Sequence, residues 1–368
     1  MAKYGRGHDH YGKGEDHGLR AREPESIKNG TVRFLGVFLK KKDRMQTIDQ
    51  YRSTFVSYLE AKIRTREPEN LYAPMTYILG LGGKRLRPVL TLMTAEIFGS
   101  DPKKALDAAL AVEVFHNFSL VHDDIMDAAP LRRGAPTVHQ KWDINTGILS
   151  GDAMLISAIQ YFETYEGEVY RRLLKLFGKT ALQVCEGQQY DVDFEERDDV
   201  TLSEYIRMIE YKTAVLVAAA MKMGAIIAQA PDASQEAIYD FGRYLGIAFQ
   251  LQDDYLDAFG DPETFGKQVG GDIIENKKTF LYLRSRELAT QVQARELSHL
   301  FSIQPSDPLA KIVTVKEIFV ESGAASEAVQ EMARYTNLAF GVLEGLPITD
   351  DKKDLLQKFG ERLMTRSR

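Results

Sequence analysis

From Met45 onward the sequence places apolar residues at helical spacing in one segment after another. In TIDQYRSTFVSYLEAKIRTRE, Ile48, Tyr51, Phe55, Tyr58, Leu59 and Ile63 recur at that spacing, and Pro68 lies just past the end. The same reading predicts helices over 70–80, 86–98, 104–126, 146–165, 168–191, 202–229, 234–258, 272–289, 306–321, 325–342 and 350–365. Segment 104–126 is apolar almost all round, which predicts a helix buried at the centre of a bundle. Strand alternation is nearly absent, no repeat has a fixed period, and every Pro/Gly break is short. The expectation is all-α: a single large helical bundle around a central cavity, spanning residues 45–368.

Residues 1–44 depart from this pattern. They carry 11 basic and 6 acidic residues in a chain whose net charge is −6. They also hold His8, His10 and His17 among glycines and charges, with no helical or strand period. A disordered tail or an expression leader is expected, with metal chelation as the alternative. The acidic net charge argues against a nucleic-acid partner. Cys185 is the only cysteine, which excludes an intrachain disulfide and a thiolate metal site and fits a reducing cytoplasm. No apolar run is long enough for stable membrane insertion. Cys185 and Trp142 read as packing residues.

Two acidic pentapeptides carry the chemistry: DDIMD at Asp123–Asp127 and DDYLD at Asp253–Asp257. Residues four apart share a helix face, so Asp123 pairs with Asp127 and Asp253 with Asp257; Asp124 and Asp254 flank them. Crowded carboxylates repel unless a cation compensates. Hard oxygen ligands without His or Cys suit Mg²⁺, which is held by one or two carboxylates plus substrate phosphates. An exposed acidic helix end is the alternative for either copy alone.

Basic segments surround the acidic ones. LGGKRLRPVL puts Lys84, Arg85 and Arg87 at a helix start, a pattern that fits an anion site or a solvated basic turn. Arg132 and Arg133 follow the first acidic motif, positioned either to share phosphate oxygens with a metal or to form salt bridges with the aspartates. Lys212 and Thr213 interrupt an apolar helix, so Lys212 either has a buried negative partner or snorkels outward. Lys267, Asp272, Asn276, Lys277 and Lys278 trail the second acidic motif. His116 precedes Asp123 by seven residues and therefore shares its face.

In chain order, GGKRLRP, HNFSLVHDDIMD, LRRGAPTVH, GQQYD, YKTA, FQLQDDYLD, GK and GGDIIENKKT resemble the trans-isoprenyl diphosphate synthases, or polyprenyl synthetases. The resemblance spans roughly residues 48–365 and is greatest to short-chain members, the geranylgeranyl and farnesyl diphosphate synthases. It implies the isoprenoid synthase type of bundle, a homodimer, and about three Mg²⁺ ions per site with diphosphate bound. Asp123, Asp124 and Asp127 would bind metal and allylic diphosphate from one side; Asp253, Asp254 and Asp257 would do so from the other. Arg132, Lys212 and Lys267 would hold that diphosphate, supported by Gln188, Asp191 and Lys277. Lys84, Arg87, His116 and Arg133 would form a separate isopentenyl diphosphate pocket, and Thr213 and Gln250 would lie near the cationic carbon.

The implied reaction is ionisation of an allylic diphosphate, condensation with isopentenyl diphosphate and loss of a proton. A terpene cyclase also pairs an acidic motif with an all-α cavity, but it has no need of a second diphosphate pocket. A non-catalytic regulatory subunit is the other alternative, and two complete acidic motifs argue against it. For product length, Ser119, Phe118 and Phe115 stand four, five and eight residues before Asp123 and are expected to face the growing chain. One helical turn rises ~5.4 Å, comparable to one isoprene unit. A small Ser119 followed by a bulky Phe118 resembles a twenty-carbon enzyme, ahead of farnesyl or longer-chain products.

Overall fold

The structure, a computed structural model, describes residues 45–261 and 269–365. The tail expectation for residues 1–44 and the proposed role of Lys267 lie outside the described residues. Helix α1 (Ile48–Lys62) begins at Thr47, which forms a reciprocal capping box with Gln50. Helices α2 (Glu69–Gly80) and α3 (Leu86–Ile97) follow. A 3₁₀ turn at Pro102–Ala105, capped by Asp101, leads into α4 (Leu106–Met126). Two-residue strands β1 (Leu131–Arg132) and β2 (Ala135–Pro136) pair antiparallel, with Arg132 opposite Ala135. Next come α5 (Val138–Lys141), α6 (Ile144–Gln160), α7 (Gly167–Glu196) and α8 (Leu202–Ile209). A π-helical turn at Glu210–Ala214 joins α8 to α9 (Val215–Ile227), and α10 spans Asp232–Phe259. The remainder is α11 (Gly271–Ile274), α12 (Phe280–Leu288), α13 (Gln291–Leu300), α14 (Leu309–Glu321), α15 (Ala324–Gly345) and α16 (Asp350–Met364).

The all-α expectation holds, and strand among the described residues is confined to the small hairpin. As its composition predicts, α4 is buried continuously from Ala108 to Phe115. It packs along α6, while α3 packs along α9, and α10 along α9 and α15. One apolar cluster unites α1–α4, α6, α7 and α9; a second unites α8, the later part of α10 and α12–α15. Tyr244 on α10 packs against both. No helix among the described residues is long and apolar enough to cross a membrane.

Three segments differ from the sequence expectation. The helix read over 272–289 is two helices, because Asn276 takes a left-handed φ of 59° that no continuous helix admits. The helix read over 202–229 is continuous to Ile227 but carries a π turn at Glu210–Ala214, which the periodicity does not reveal. Helix α13 was not expected: its sequence is largely polar and only Leu297 is buried, so it has no readable apolar stripe. The hairpin strands are too short to display alternation.

The loop before α3 is tied to α4 by a buried ion pair. Arg85 adopts a left-handed φ of 51° and turns inward, where its guanidinium donates to Glu113 and to the Leu79 carbonyl. Asn117 Nδ2 donates to the Glu113 carbonyl at 2.8 Å and to Oε1 at 3.2 Å. Both charges are almost fully buried, at 6% exposure for Arg85 and 2% for Glu113, so neither has water as a substitute partner. Glu113→Ala strands Arg85 and should cost about 3–5 kcal/mol of stability. Urea denaturation should show a lower midpoint with an unchanged slope. A wild-type midpoint would mean that the loop is held by something else.

Candidate active site

Both acidic motifs sit at helix C-termini. Asp127 is the C-terminal cap of α4, and Asp253–Asp257 occupy the last turns of α10. That end of a helix carries partial negative charge, so it opposes carboxylates and favours cations. Asp127 stands open at the helix end, yet the protein crowded around its carboxyl, together with neighbouring Asp123, pushes it up to about 6. Asp123 Oδ1 is buried and has no hydrogen-bond partner among the described residues.

The flanking aspartates are engaged elsewhere. Arg132 Nε donates to both Asp124 oxygens at 2.8 and 2.9 Å, and Arg132 Nη2 approaches Oδ1 at 2.5 Å. The salt-bridge alternative for Arg132 is therefore realised, and it binds β1 to the end of α4. Burial still raises Asp124 above its ordinary range, against the pull of Arg132. In the second motif, Asp254 Oδ2 accepts from Tyr205 at 2.5 Å and Oδ1 from Gln250 Nε2 at 2.8 Å. Gln250 Oε1 in turn accepts from Thr213 Oγ1 at 2.9 Å. Asp257 Oδ2 accepts from the Asp272 backbone N–H at 2.9 Å. Burial, compounded by neighbouring carboxylates, raises both Asp254 and Asp272.

The π turn brings the two motifs together. Lys212 Nζ donates to Asp191 Oδ2 at 2.6 Å and lies 3.6 Å from Asp123 Oδ1. Burial pulls Lys212 down, but Asp191 and Asp123 outweigh it and hold the ammonium charged. The buried-partner reading of Lys212 is the one observed. The extra residue of a π turn re-aims side chains, and such turns recur at functional sites. It requires Gly187, because a Cβ there would strike the Lys212 backbone nitrogen.

Two cavities meet at Lys212 and Thr213. One, of about 110 Å³, has a mixed lining that includes Asp191, Tyr205, Gln250, Asp254, Asp272 and Lys277. Lys277 bonds Glu275 at 3.1 Å and stays charged because Glu275, Asp272 and Asp191 outweigh its burial. The other cavity, of about 320 Å³, is lined by Arg87, His116, Phe118, Ser119, Asp123 and Gln188, among others. Arg87 Nη1 lies 3.2 Å from His116 Nε2. Arginine can only donate, so that nitrogen accepts and the imidazole is neutral. Burial and the charges of Arg87 and Arg133 push His116 well below its ordinary range, in agreement. Arg87 Nε and Gln188 Nε2 are buried donors with no partner among the described residues. Arg133 donates to the Gly82 carbonyl and lies over Gly83, where a Cβ would meet its guanidinium at 3.0 Å.

Several expected residues stand apart. Lys84 is exposed and lines a different recess, with Ile48, Arg52 and Arg362. Phe115 does not line the large cavity; its turn of α4 faces inward, and it packs behind Phe118, against Phe177. Cys185 is not a packing residue, since its position on α7 turns it to the cavity. Trp142 does pack, edge-on to Tyr77. Tyr205 and Asp272 were missed as site residues. Asp272 was visible only as one charge in a loop of mixed charge, and nothing local tells Tyr205 from a core tyrosine.

The donors fit a hard cation shared with a phosphate ligand. Asp191, Asp254 and Asp272 face the smaller cavity, and Asp123, with its orphaned oxygen, lines the larger one on the other side of Lys212. No three His, Cys, Asp or Glu among the described residues converge closely enough to hold an ion alone. Mg²⁺ sites completed by substrate phosphates have this character.

Residues 68–319, more than half of the chain, match the family model described as polyprenyl synthetase. A geranylgeranyl diphosphate synthase of Methanosarcina mazei is 45% identical over 222 residues, covering 60% of this chain and 68% of that protein. A geranylfarnesyl diphosphate synthase of Natronomonas pharaonis is 37% identical over 326 residues, covering 83% of this chain and 93% of that protein. A crystal structure of a geranylgeranyl pyrophosphate synthase superposes with a TM-score of 0.85 at 54% identity, covering 88% of this chain and 100% of the other. The chain belongs to the polyprenyl synthetase family and is a trans-prenyltransferase.

Proposed function

We propose that this enzyme condenses isopentenyl diphosphate with an allylic diphosphate and makes geranylgeranyl diphosphate as its main product. One observation carries the reading: a single cavity is lined by Asp123 and Lys212, by Arg87 and His116, and by Phe118 and Ser119. It thus combines two charged regions with an apolar wall. The relatives named for the same product support it.

Asp123, Asp127, Asp253 and Asp257 are the proposed metal ligands, with Asp124 and Asp254 as flanking members of each set. Enzymes of this family are generally Mg²⁺-dependent. When bound, Mg²⁺ supplies Lewis-acid charge that stabilises the departing diphosphate. Arg132, Lys212 and Lys277 add fixed positive charge around the same group, where it is already oriented before the bond breaks. Gln188 and Asp191 steady that region, Asp191 through its bond to Lys212. The Thr213 hydroxyl donates a hydrogen bond to Gln250 Oε1, which leaves its own oxygen lone pairs to meet positive charge on the allylic carbon. Arg87, neutral His116 and Arg133 hold isopentenyl diphosphate beside that carbon, so that its double bond attacks by proximity. Lys84, which lines a different recess, is assigned to the same pocket by the GGKRLRP motif alone. The departed diphosphate takes up the proton lost from the new chain.

Phe118 is 8% exposed and stands directly beside Ser119 on the cavity wall, so a bulky ring borders the opening that the small serine leaves, which favours a twenty-carbon limit over the geranylfarnesyl alternative. Exposed Met126, Leu131, Ile144, Ile148, Leu149 and Ile156 support a homodimer. The lone, free cysteine supports a cytoplasmic location.

Incubation with labelled isopentenyl diphosphate and an allylic primer tests the reaction directly. Asp123→Ala and Asp253→Ala should each lower turnover by at least ~10²-fold with the helical circular dichroism unchanged. EDTA should stop the wild type, and Mg²⁺ should restart it. Near-normal turnover in either variant would falsify the proposed ligand set.

Binding of Mg²⁺ with inorganic diphosphate should release protons at pH 6. Asp127 is raised to about 6, so its proton stabilises the free fold below the ordinary carboxylate range, and that contribution is lost as pH rises through 6. A bound cation favours the ionised form, so affinity should strengthen with rising pH. Calorimetry in two buffers of different ionisation enthalpy reads the proton count; diphosphate itself loses protons to Mg²⁺, so the excess of wild type over Asp127→Asn reports Asp127, and equal counts would contradict the shift.

Phe118→Ala should lengthen the products and Ser119→Phe should shorten them, each by about one isoprene unit per helical turn opened or closed. Chromatography of the dephosphorylated products checks both. Identical chromatograms for wild type and both variants would remove these residues from length control.

A further inference from the structure

Phe118 does not stand alone at the cavity wall. The His122 ring lies against it edge-on, with centroids 4.9 Å apart and planes at 67°. His122 also lines the cavity. Its Nε2 lies 3.1 Å from the Ile148 carbonyl on α6, so that nitrogen carries the proton and donates. The same atom is 3.9 Å from Asp152 Oδ1. On its other flank Phe118 meets Phe115, with centroids 5.5 Å apart, and Phe115 is locked edge-on to Phe177 at 5.2 Å. Phe118 is therefore held between a rigid aromatic stack on one side and a histidine tethered to α6 on the other.

The place where His122 fits is specified by Gly151. A Cβ on that residue would run into His122 Nε2 and Cδ2, so any larger residue displaces the ring. Gly151 lies within α6 and has no unusual backbone requirement of its own. Its missing side chain serves the histidine.

We propose that His122 is a positioning residue for Phe118 and thereby sets product length, with Gly151 providing its seat. The proposal rests on the reading above in which Phe118 stops the growing chain. A lengthening apolar chain that presses on Phe118 must move it toward α6, and the space there belongs to the His122 ring. Moving that ring breaks its hydrogen bond to Ile148. The limit on product length is thus a two-ring stop anchored across helices, and α6 takes part without lining the cavity.

The test is the product distribution of His122→Ala, His122→Phe, Phe118→Ala and the Phe118→Ala/His122→Ala pair, with Mg²⁺, isopentenyl diphosphate and an allylic primer. His122→Ala should lengthen the main product by about one isoprene unit although Phe118 is intact. His122→Phe keeps a ring in place and should retain the wild-type length. The double variant should make nothing longer than Phe118→Ala alone, because the histidine acts through the phenylalanine. A general structural defect would lower turnover without this pattern. Wild-type lengths from His122→Ala, with longer ones from Phe118→Ala, would overturn the proposal and leave the Phe118 reading standing. No lengthening in either variant would overturn both. If His122→Ala loses activity or fails to fold, Gly151→Ala decides from the α6 side: a changed distribution supports the proposal, and an unchanged one overturns it.

Discussion

Two sets of carboxylates are held at the wrong ends of two long, buried helices. The C-termini of α4 and α10 already carry partial negative charge, and each receives three aspartates. Buried and crowded, these groups answer by holding protons more tightly, as the raised Asp124, Asp127 and Asp254 do. Much of the surrounding structure works against that charge. Arg132 takes Asp124, Tyr205 and Gln250 take Asp254, and Lys212 is pulled between Asp191 and Asp123. What remains uncompensated is a demand for cations, which is the property that binding a metal diphosphate requires.

The bundle supplies the rigidity that this arrangement needs. Carboxylates stay crowded only if their helices cannot move apart, and α4 is packed on all sides for most of its length. The Arg85–Glu113 pair fastens the glycine loop to the same helix five residues before Phe118. That places Arg87 beside His116 and leaves Arg133 lying over Gly83. A buried ion pair is a costly way to stabilise a fold, but it orients what it joins. Here it joins the loop of one anion region to the helix that carries the acidic cluster.

Close backbone approach is the second device. Gly187 lets α7 touch the π turn, and Gly151 lets α6 receive His122. Both glycines lie inside helices, where the residue weakens the helix itself by about 0.5–1 kcal/mol relative to Ala. Their value lies in the partner that fits against them. The two cavities that share Lys212 and Thr213 owe their common wall to the first of these contacts.

Much was legible in the sequence because it is carried by local periodicity. Apolar residues at helical spacing define the bundle, and the i, i+4 aspartates define a face whatever the helix packs against. The pairing of His116 with Asp123 along one helix follows from the same geometry. Tertiary structure decided what depends on a second element. Whether Arg132 met a phosphate or an aspartate was undetermined until β1 returned to α4. Phe115 and Phe118 lie on the same helix three residues apart, yet only the neighbours of α4 make one a core ring and the other a cavity wall. Tyr205 became a partner of Asp254 because α8 packs near α10, a contact separated by 49 residues in the chain. Sequence spacing specifies which side chains share a face; only packing specifies what that face meets.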